Sequence, residues 1–173
     1  MANPNIRKPT TDEAARDMMQ CFITAYSKSS PYNNFDNPFN RSVTISSARL
    51  ETATTSALAT SDFTIPALYG NNPDAHTVHG GAVAMFFDNA TSLPLLAVRH
   101  WWDGWSGVTR NLNITYLRPL HEGDRVVIEA EVVQCGKRNA LISGVLKREK
   151  DGVILATCQH EKVRPESRKS LKL

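Results

Sequence analysis

The chain has 173 residues, 41% of them hydrophobic, and a formal net charge of +3 at pH 7. This length fits one globular domain with a substantial core. The excess of positive charge lies in residues 164–172 rather than in a stripe interleaved with aromatic side chains, so we expect no nucleic-acid partner. Three widely separated cysteines form neither a CxxC pair nor an even set, which argues against a zinc site and against a disulfide scaffold.

Two segments of the sequence bear on the cellular location of the protein. The N-terminus lacks the apolar core of a signal peptide. The one long apolar run, residues 82–98, is interrupted by Asp88, Asn89 and Pro94 and is short for a membrane span. We therefore expect a soluble protein in a reducing compartment, the cytoplasm, with a mitochondrial location left open.

Residues 1–41 are expected to form an arm, a helix and a loop packed on the main domain. Thr10 and Glu13 have the spacing of a capping box, which predicts a helix from there to about Tyr26. Its expected apolar face consists of Ala14, Met18, Cys21, Phe22 and Ala25. Residues 29–40 hold two prolines and four asparagines, which predicts an irregular loop, either a surface connection or the rim of a ligand tunnel.

The next part of the chain predicts two strands and a long helix. Residues 43–65 are rich in β-branched side chains, which suits two strands paired as a hairpin that Pro66 ends. Residues 80–99 predict one helix, which Pro94 should kink or end. Residues 100–107 then carry all three tryptophans of the chain. For these we favour packing at the sheet edge or at a subunit contact over ligand recognition.

The C-terminal half predicts further strands. Residues 108–117 alternate apolar and polar side chains, the pattern of a strand. Two long strands are expected after the turns at 121–124 and 136–138, and a last strand over 153–163. Five or six strands with one long helix predict an α+β domain, in which a curved antiparallel sheet wraps around the central helix. The pattern alone leaves the strand order open.

A single acid stands out in the central helix. His79-Gly80-Gly81 opens the helix, and Asp88 is the only acidic residue inside it. A carboxylate without a partner among Met85, Phe86, Phe87 and Leu93 would be costly to desolvate, and such groups concentrate at working sites. A buried acid held by neighbouring hydrogen bonds, or one facing water, is the alternative for Asp88.

The glycines at the start of the helix suggest a second functional element. The first N–H groups of a helix have no partner within it and carry positive partial charge, so they suit an oxyanion. Gly80 and Asp88 are eight residues apart, roughly 12 Å along a helix axis, which is too far for one carbonyl to touch both. If both act on one substrate, Gly80 of one subunit must face Asp88 of another, which predicts a dimer.

Three segments in the right order resemble a known family. HGGAVAMFFDNATS, GVTRNLNITYLRP and GDRVVIEAEVVQCGKRNALISG are similar to segments of the hotdog-fold acyl-CoA thioesterases, within the branch of thioesterase superfamily member 2 and the phenylacetic-acid-pathway thioesterases. The resemblance covers residues 42–163 and implies a hotdog domain over that range, followed by a basic tail over 164–173. It implies hydrolysis of acyl-CoA or carrier-bound acyl thioesters without metal or organic cofactor, by a homodimer or a dimer of dimers.

The resemblance also assigns roles to single residues. Asp88 matches the family's general base or nucleophile, and Gly80 the glycine whose N–H polarises the thioester carbonyl. Thr109 matches a hydroxyl that positions the water or the base. His79 and Gly81 match substrate-binding positions of the turn, where we expect His79 mainly to organise the loop.

Three further positions are less regular. The family's asparagine before the His-Gly-Gly turn falls on Pro73 here, so Asn72 takes that role only if the loop shifts by one residue. In the turn after the first long strand, Gly136, Lys137 and Arg138 match the stretch along the pantetheine arm, and the cations could meet phosphate groups of coenzyme A. An ordinary charged hairpin turn is the alternative.

Two other functions fit the same residues. One is a hotdog hydratase or dehydratase in which His79 and Asp88 share acid and base work, although nine residues put them about half a turn out of phase on a helix. The other is an acyl-CoA-binding protein without turnover, which the departures at Pro73 and Arg110 keep open. For Arg110 we favour a position facing solvent over a contact with ligand phosphate.

Overall fold

The computed structural model describes residues 9–29, 35–50, 57–72, 74–98, 102 and 106–164. The helices are α1 (Asp12–Ser29), α2 (Asn37–Ser42), α3 (Gly80–Ser92) and α4 (Pro94–Ala97). The strands are β1 (Thr44–Leu50), β2 (Ala57–Thr64), β3 (Gly70–Asn72), β4 (Thr77–Val78), β5 (Val108–Tyr116), β6 (Arg125–Cys135), β7 (Asn139–Arg148) and β8 (Ile154–Val163).

Six strands form one antiparallel sheet in the order β1-β2-β6-β7-β8-β5. The predicted hairpin is β1 and β2, and the long strands predicted after the turns are β6, β7 and β8. Strands β3 and β4 form a separate two-stranded sheet that the sequence did not predict. Among the described strands, β5 pairs only with β8, so it is an outer strand of the sheet.

Helix α3 packs across the sheet and contacts β5, β6, β7 and β8. The contact is closest at Gly144 on β7, where a Cβ atom would lie 2.7 Å from Sγ of Cys158 and 2.9 Å from Cγ2 of Thr91. Glycine therefore lets the helix backbone approach the sheet. Phe86 and Phe87 are fully buried in the resulting core.

The central helix is interrupted at Pro94, where its regular part was predicted to kink or end. Instead of one helix over 80–99, α3 ends at Ser92 and α4 begins at Pro94. Proline has no N–H to donate to the preceding turn, but it fits the start of a helix. The first helix therefore ends before Leu93, and a second helix begins at Pro94. Arg99 lies outside the described residues.

Helix α1 exists as predicted, but its expected buried face is wrong. The helix is capped by Thr11, whose Oγ1 accepts the N–H of Ala14 at 3.2 Å, and not by Thr10. The buried stripe is Ala15, Met19 and Ile23, whereas Ala14, Cys21, Phe22 and Ala25 are exposed. The helix has two neighbouring stripes of apolar residues, and the spacing of these residues does not show which stripe is buried. In the structure, helix α1 packs against β1, and the stripe with Ala15, Met19 and Ile23 is the buried one.

The predicted loop over residues 29–40 contains structure at its end. Residues 37–42 form the short helix α2, with Pro38 in its first turn, where proline is tolerated. Phe39 of this helix is fully buried and meets Phe63 and Phe86 ring to ring, with centroids 4.8 and 5.3 Å apart. Residues 30–34 lie outside the described part of the chain.

Of the three tryptophans, the structure describes Trp102. Its ring is fully buried and its Nε1 donates a hydrogen bond of 3.0 Å to the carbonyl oxygen of Gly136, which confirms a packing role. Gly107 adopts φ +72°, and a Cβ there would lie 2.3 Å from the Trp102 ring, so glycine is required beside it. Trp101 and Trp105 lie outside the described residues.

No helix in the described ranges is both long enough and apolar enough to cross a membrane.

Candidate active site

Asp88 lies in the third turn of α3 and points toward β5. Its Oδ1 accepts a hydrogen bond of 2.6 Å from Oγ1 of Thr109, the second residue of β5. The side chain is 47% exposed in the protomer. The expectation of an unpartnered carboxylate in an apolar environment is therefore wrong, because the neighbouring strands supply polar partners that the helix sequence does not contain.

Two of these partners come from β8 and are deeply buried. His160 is fully buried, with Nε2 3.3 Å from Oδ1 of Asp88 and 3.0 Å from Oγ1 of Thr109. Lys162 is 4% exposed, with Nζ 4.0 Å from the same carboxylate oxygen. Residues two apart in a strand share one face of the sheet, so His160 and Lys162 lie side by side under Asp88.

Both basic groups also form contacts with hydroxyl groups of α3. Nδ1 of His160 lies 2.6 Å from Oγ1 of Thr91, which in turn donates to the carbonyl oxygen of Phe87 at 2.5 Å. Nζ of Lys162 donates to Oγ of Ser92 at 2.5 Å, and that hydroxyl donates to the carbonyl oxygen of Asp88. The last two turns of α3 are thus tied to β8 by hydroxyl bridges.

Burial lowers the pKa of both basic groups. Desolvation, reinforced by the charge of Lys162 and opposed by that of Asp88, lowers the pKa of His160 to about 4. The imidazole is therefore neutral near pH 7. Burial also lowers the pKa of Lys162, and Asp88 opposes that change. The carboxylate of Asp88 therefore lies beside a neutral imidazole and the side-chain nitrogen of a buried lysine.

A cavity of about 220 Å³ opens beside Asp88. Asp88, Thr109 and Lys162 line its polar side, and helix α1 forms an apolar wall. That wall contains Phe22 and Tyr26, whose rings stack with centroids 6.4 Å apart and planes 12° apart. Of the predicted apolar face of α1, Phe22 thus borders the cavity.

The start of α3 has its own hydrogen bonds. Nδ1 of His79 accepts the N–H of Gly81 at 2.9 Å, so the histidine caps the helix as expected of a loop organiser. The carbonyl oxygen of Gly80 accepts the hydroxyl of Tyr116 at 2.9 Å. Among the hydrogen bonds of the described residues, none is donated by the Gly80 N–H. The amide lies at the border of a second cavity, of about 300 Å³, formed with Tyr116 and residues 117–120.

Within one protomer the two halves of the predicted site stay apart. Gly80 is the first residue of α3 and Asp88 lies more than two turns further along the same helix. Their cavities share no lining residue. His79 likewise lies at the far end of α3 from Asp88, which does not favour a shared acid–base role for the two in one protomer.

Among the described residues that line the Asp88 cavity, none is another predicted site position besides Thr109. The backbone of Asn72 belongs to β3 and pairs with Thr77, while Pro73 and the side chain of Asn72 lie outside the described part. Gly136, Lys137 and Arg138 form the turn between β6 and β7, where both cations are exposed. Arg110 is also exposed, with Nε 4.0 Å from Oε2 of Glu161, as expected for a residue facing solvent.

Sequence reasoning missed His160 and Lys162. Both occur in a strand that otherwise buries apolar side chains such as Leu155, Ala156 and Cys158 on the same sheet. A histidine and a lysine at alternate positions of such a strand are the signal that could have found them, because both then point to the same side. Across the described residues, no cluster of three or more His, Cys, Asp or Glu side chains could hold a metal ion.

Comparison with known proteins places these features in a family context. Residues 75–155 match the family model of the thioesterase superfamily. Acyl-coenzyme A thioesterase 13 from Homo sapiens is 36% identical over 86 residues, which are 50% of this chain. The match spans 59% of the length of the human protein.

Solved structures are similar over most of the chain. The zebra fish thioesterase superfamily member 2 has a TM-score of 0.66 at 20% identity and covers 91% of this chain and 100% of its own. The E. coli PaaI protein from the phenylacetic acid degradation operon has a TM-score of 0.65 at 17% identity, with coverages of 88% and 97%. The predicted hotdog fold and the predicted resemblance to thioesterases are confirmed.

Proposed function

We propose, from the hotdog fold and the match to the thioesterase superfamily, that this protein hydrolyses acyl thioesters of coenzyme A or of a carrier protein. The single observation that carries the proposal is the carboxylate of Asp88, held by Thr109 at the edge of a cavity with an apolar wall. A fixed base beside a cavity with an apolar wall suits the hydrolysis of an acyl thioester.

Asp88 acts as the base in this account, with direct nucleophilic attack as its alternative. Thr109 binds Oδ1, and we assign Oδ2 to the attacking water. As the water oxygen bonds to the thioester carbon, its proton passes to Asp88 and the carbonyl becomes an oxyanion. Collapse of that intermediate breaks the C–S bond, and the proton from Asp88 goes to the departing thiolate. The products are a carboxylic acid and a free thiol, and no cofactor is needed.

The oxyanion is stabilised by the Gly80 N–H of a second subunit. Within one helix the two groups are too far apart to share a carbonyl, so the proposed working unit is a homodimer. The free edge of β5 supports this arrangement, because Val108 and Tyr116 are about half exposed there and Tyr116 binds the carbonyl of Gly80. Pairing along that edge would bring the start of one α3 toward its partner.

Replacement of Asp88 tests the proposal. Asp88→Asn keeps the shape of the side chain and removes the base, so release of free thiol from acyl-CoA should fall at least about a hundredfold. The assay should cover short, long and aromatic acyl groups on both coenzyme A and pantetheine carriers. Asp17→Asn, an exposed residue on α1, is the matched control and should hydrolyse like the wild type.

Two results would contradict the proposal. Turnover by Asp88→Asn at the wild-type rate would remove Asp88 from the chemistry. Tight binding of acyl-CoA by the wild type without thiol release across the whole panel would instead assign the protein a binding role.

A further inference from the structure

Lys162, the buried lysine beside Asp88, has no role in the proposed hydrolysis. Lys162 is 4% exposed, and Asp88 is the only acid within 4.0 Å of its Nζ among the described residues. Burying a lysine is costly unless a polar partner compensates for the lost hydration. The Ser92 hydroxyl could accept a hydrogen bond from a neutral donor as well, so the feature to explain is a cationic group placed beside this carboxylate.

The histidine beside it belongs to a chain of short contacts. Four contacts connect the Phe87 carbonyl, the Thr91 hydroxyl, the His160 ring, the Thr109 hydroxyl and the Asp88 carboxylate. The two hydroxyls supply one proton each, and a neutral imidazole supplies one more. Each hydrogen bond needs one proton, so three protons can make only three of the four contacts hydrogen bonds. The position of the imidazole proton decides on which side of the ring the contact without a proton lies.

The two tautomers of His160 differ in what they do to Asp88. With the proton on Nε2, the ring donates to Oγ1 of Thr109, and the Thr109 hydroxyl is free to donate to Asp88. With the proton on Nδ1, Nε2 becomes an acceptor that competes with Asp88 for the Thr109 proton. The carboxylate 3.3 Å from Nε2 favours the first tautomer, because the N–H dipole then points toward a negative charge.

We propose that His160 and Lys162 are positioning residues for the base: the imidazole directs the Thr109 hydroxyl at Asp88, and the ammonium group places a positive charge beside the carboxylate. The inference rests on the proposed thioesterase function. It assigns a role to two residues of β8 that touch neither water nor thioester in the mechanism above.

Other charged groups near Asp88 are few among the described residues. From α1, Tyr26 contributes a phenol whose pKa is raised by burial, by Asp36 and by Asp88, so it is neutral near pH 7. From β5, Arg110 is directed to Glu161. Lys162 is therefore the cation that faces Asp88 from the elements packed against it.

Lys162→Met tests the charge. The substitution roughly keeps the length of the side chain. Removing one partner of an ion pair is costly when the remaining charge is buried, but Asp88 is 47% exposed, so water can solvate the carboxylate that remains. The acid limb of the pH–rate profile should move to higher pH by about one pH unit. At a fixed pH on that limb, the rate should therefore fall about tenfold. Lys147→Met is the matched control, because Lys147 on β7 pairs with Glu129 at 2.6 Å and should leave the limb in place.

His160→Leu and His160→Gln test the hydrogen bond. Leucine cannot donate to Thr109, so kcat should fall by about 10- to 100-fold with a smaller change in KM. Glutamine can place an amide N–H near the position of Nε2 and should recover part of that loss. Thermal unfolding and the state of association of all variants are measured in parallel, so that a rate is compared only between folded proteins.

The outcomes separate the inference from the function on which it rests. Full activity of Asp88→Asn overturns both. Loss of activity in Asp88→Asn, together with an unchanged acid limb in Lys162→Met and an unchanged kcat in His160→Leu, overturns the inference alone. Equal losses in His160→Leu and His160→Gln at equal stability would likewise assign His160 a packing role and contradict the inference.

Discussion

At the scale of single residues, the site depends on groups that lie far from Asp88 in the sequence. Asp88 and Thr109 could be predicted as candidates because the helix contains one acid and because the segments resemble a family. His160 and Lys162 have a signal of their own as alternate polar side chains in an otherwise apolar strand, but their relation to Asp88 arises only when β8 is placed beside β5. The same neighbours explain why Asp88 has partners where the helix sequence predicts none.

The burial of His160 predicts a specific dependence of stability on pH. Its pKa is lowered from the ordinary 6.5 to about 4 on folding, so below pH 6.5 the unfolded chain takes up a proton that the folded protein does not. The contribution of His160 is fully present above pH 6.5 and is lost as the pH falls toward 4. Between pH 7 and pH 5 this group alone should reduce the free energy of unfolding by roughly 2 kcal/mol.

Urea unfolding at the two pH values checks this prediction, with His160→Gln as the comparison. Glutamine does not titrate, so the variant should lose less stability than the wild type over the same interval. An equal loss in both proteins would show that His160 is not the titrating group.

At the scale of elements, the packing of α3 on the sheet depends on the absence of a side chain at Gly144. A Cβ there would meet Cys158, Thr91 and Phe87 at 2.7 to 3.1 Å, and each of these lies in the fixed contact between helix and sheet. Gly144→Ala should destabilise the protein by about 1–3 kcal/mol. It should also reduce activity, because Thr91 belongs to the hydrogen-bonded chain under Asp88.

Chemical denaturation measures the effect, and Gly136→Ala is the matched control. A Cβ at Gly136 would lie 3.5 Å or more from its nearest neighbours, an ordinary contact, so stability should change little. Similar stabilities of Gly144→Ala and the wild type would mean that α3 can move away from the sheet without cost.

The elements also show what periodicity can predict and what it cannot. The strands of the six-stranded sheet, the central helix and α1 were predictable from the spacing and run of their apolar residues, whereas β3 and β4 were not. The buried face of α1 was not, because its two apolar stripes differ only in which one meets β1. The strand order and α2 depended on contacts between segments distant in sequence, such as Phe39 with Phe63.

At the scale of the whole molecule, the proposed chemistry needs two chains. Gly80 and Asp88 border separate cavities in one protomer, and among the described strands β5 pairs only with β8 and so lies at the edge of the sheet. The need for a second subunit could be predicted from the spacing of the two residues along a helix. The surface that would form the contact could not, because the position of β5 at the edge follows from the strand order.

Two inactive variants can test this arrangement together. Gly80→Pro removes the proposed oxyanion donor, because proline has no N–H, and proline fits the first position of a helix. The preceding His79 has φ −63° and ψ 132°, a conformation that a following proline allows. Asp88→Asn removes the base. Each variant alone should lack thioesterase activity while remaining folded.

The most direct measurement is the activity of dimers formed by refolding the two variants in an equal mixture. If Gly80 and Asp88 act across the dimer, half of the dimers contain both variants and each of these holds one intact site, so activity should return to about a quarter of the wild-type value. If the two residues act within one protomer, every chain carries a defect and no activity returns. Recovery near a quarter is the result predicted here, and a mixture of folded, exchanged subunits that stays inactive would contradict the account.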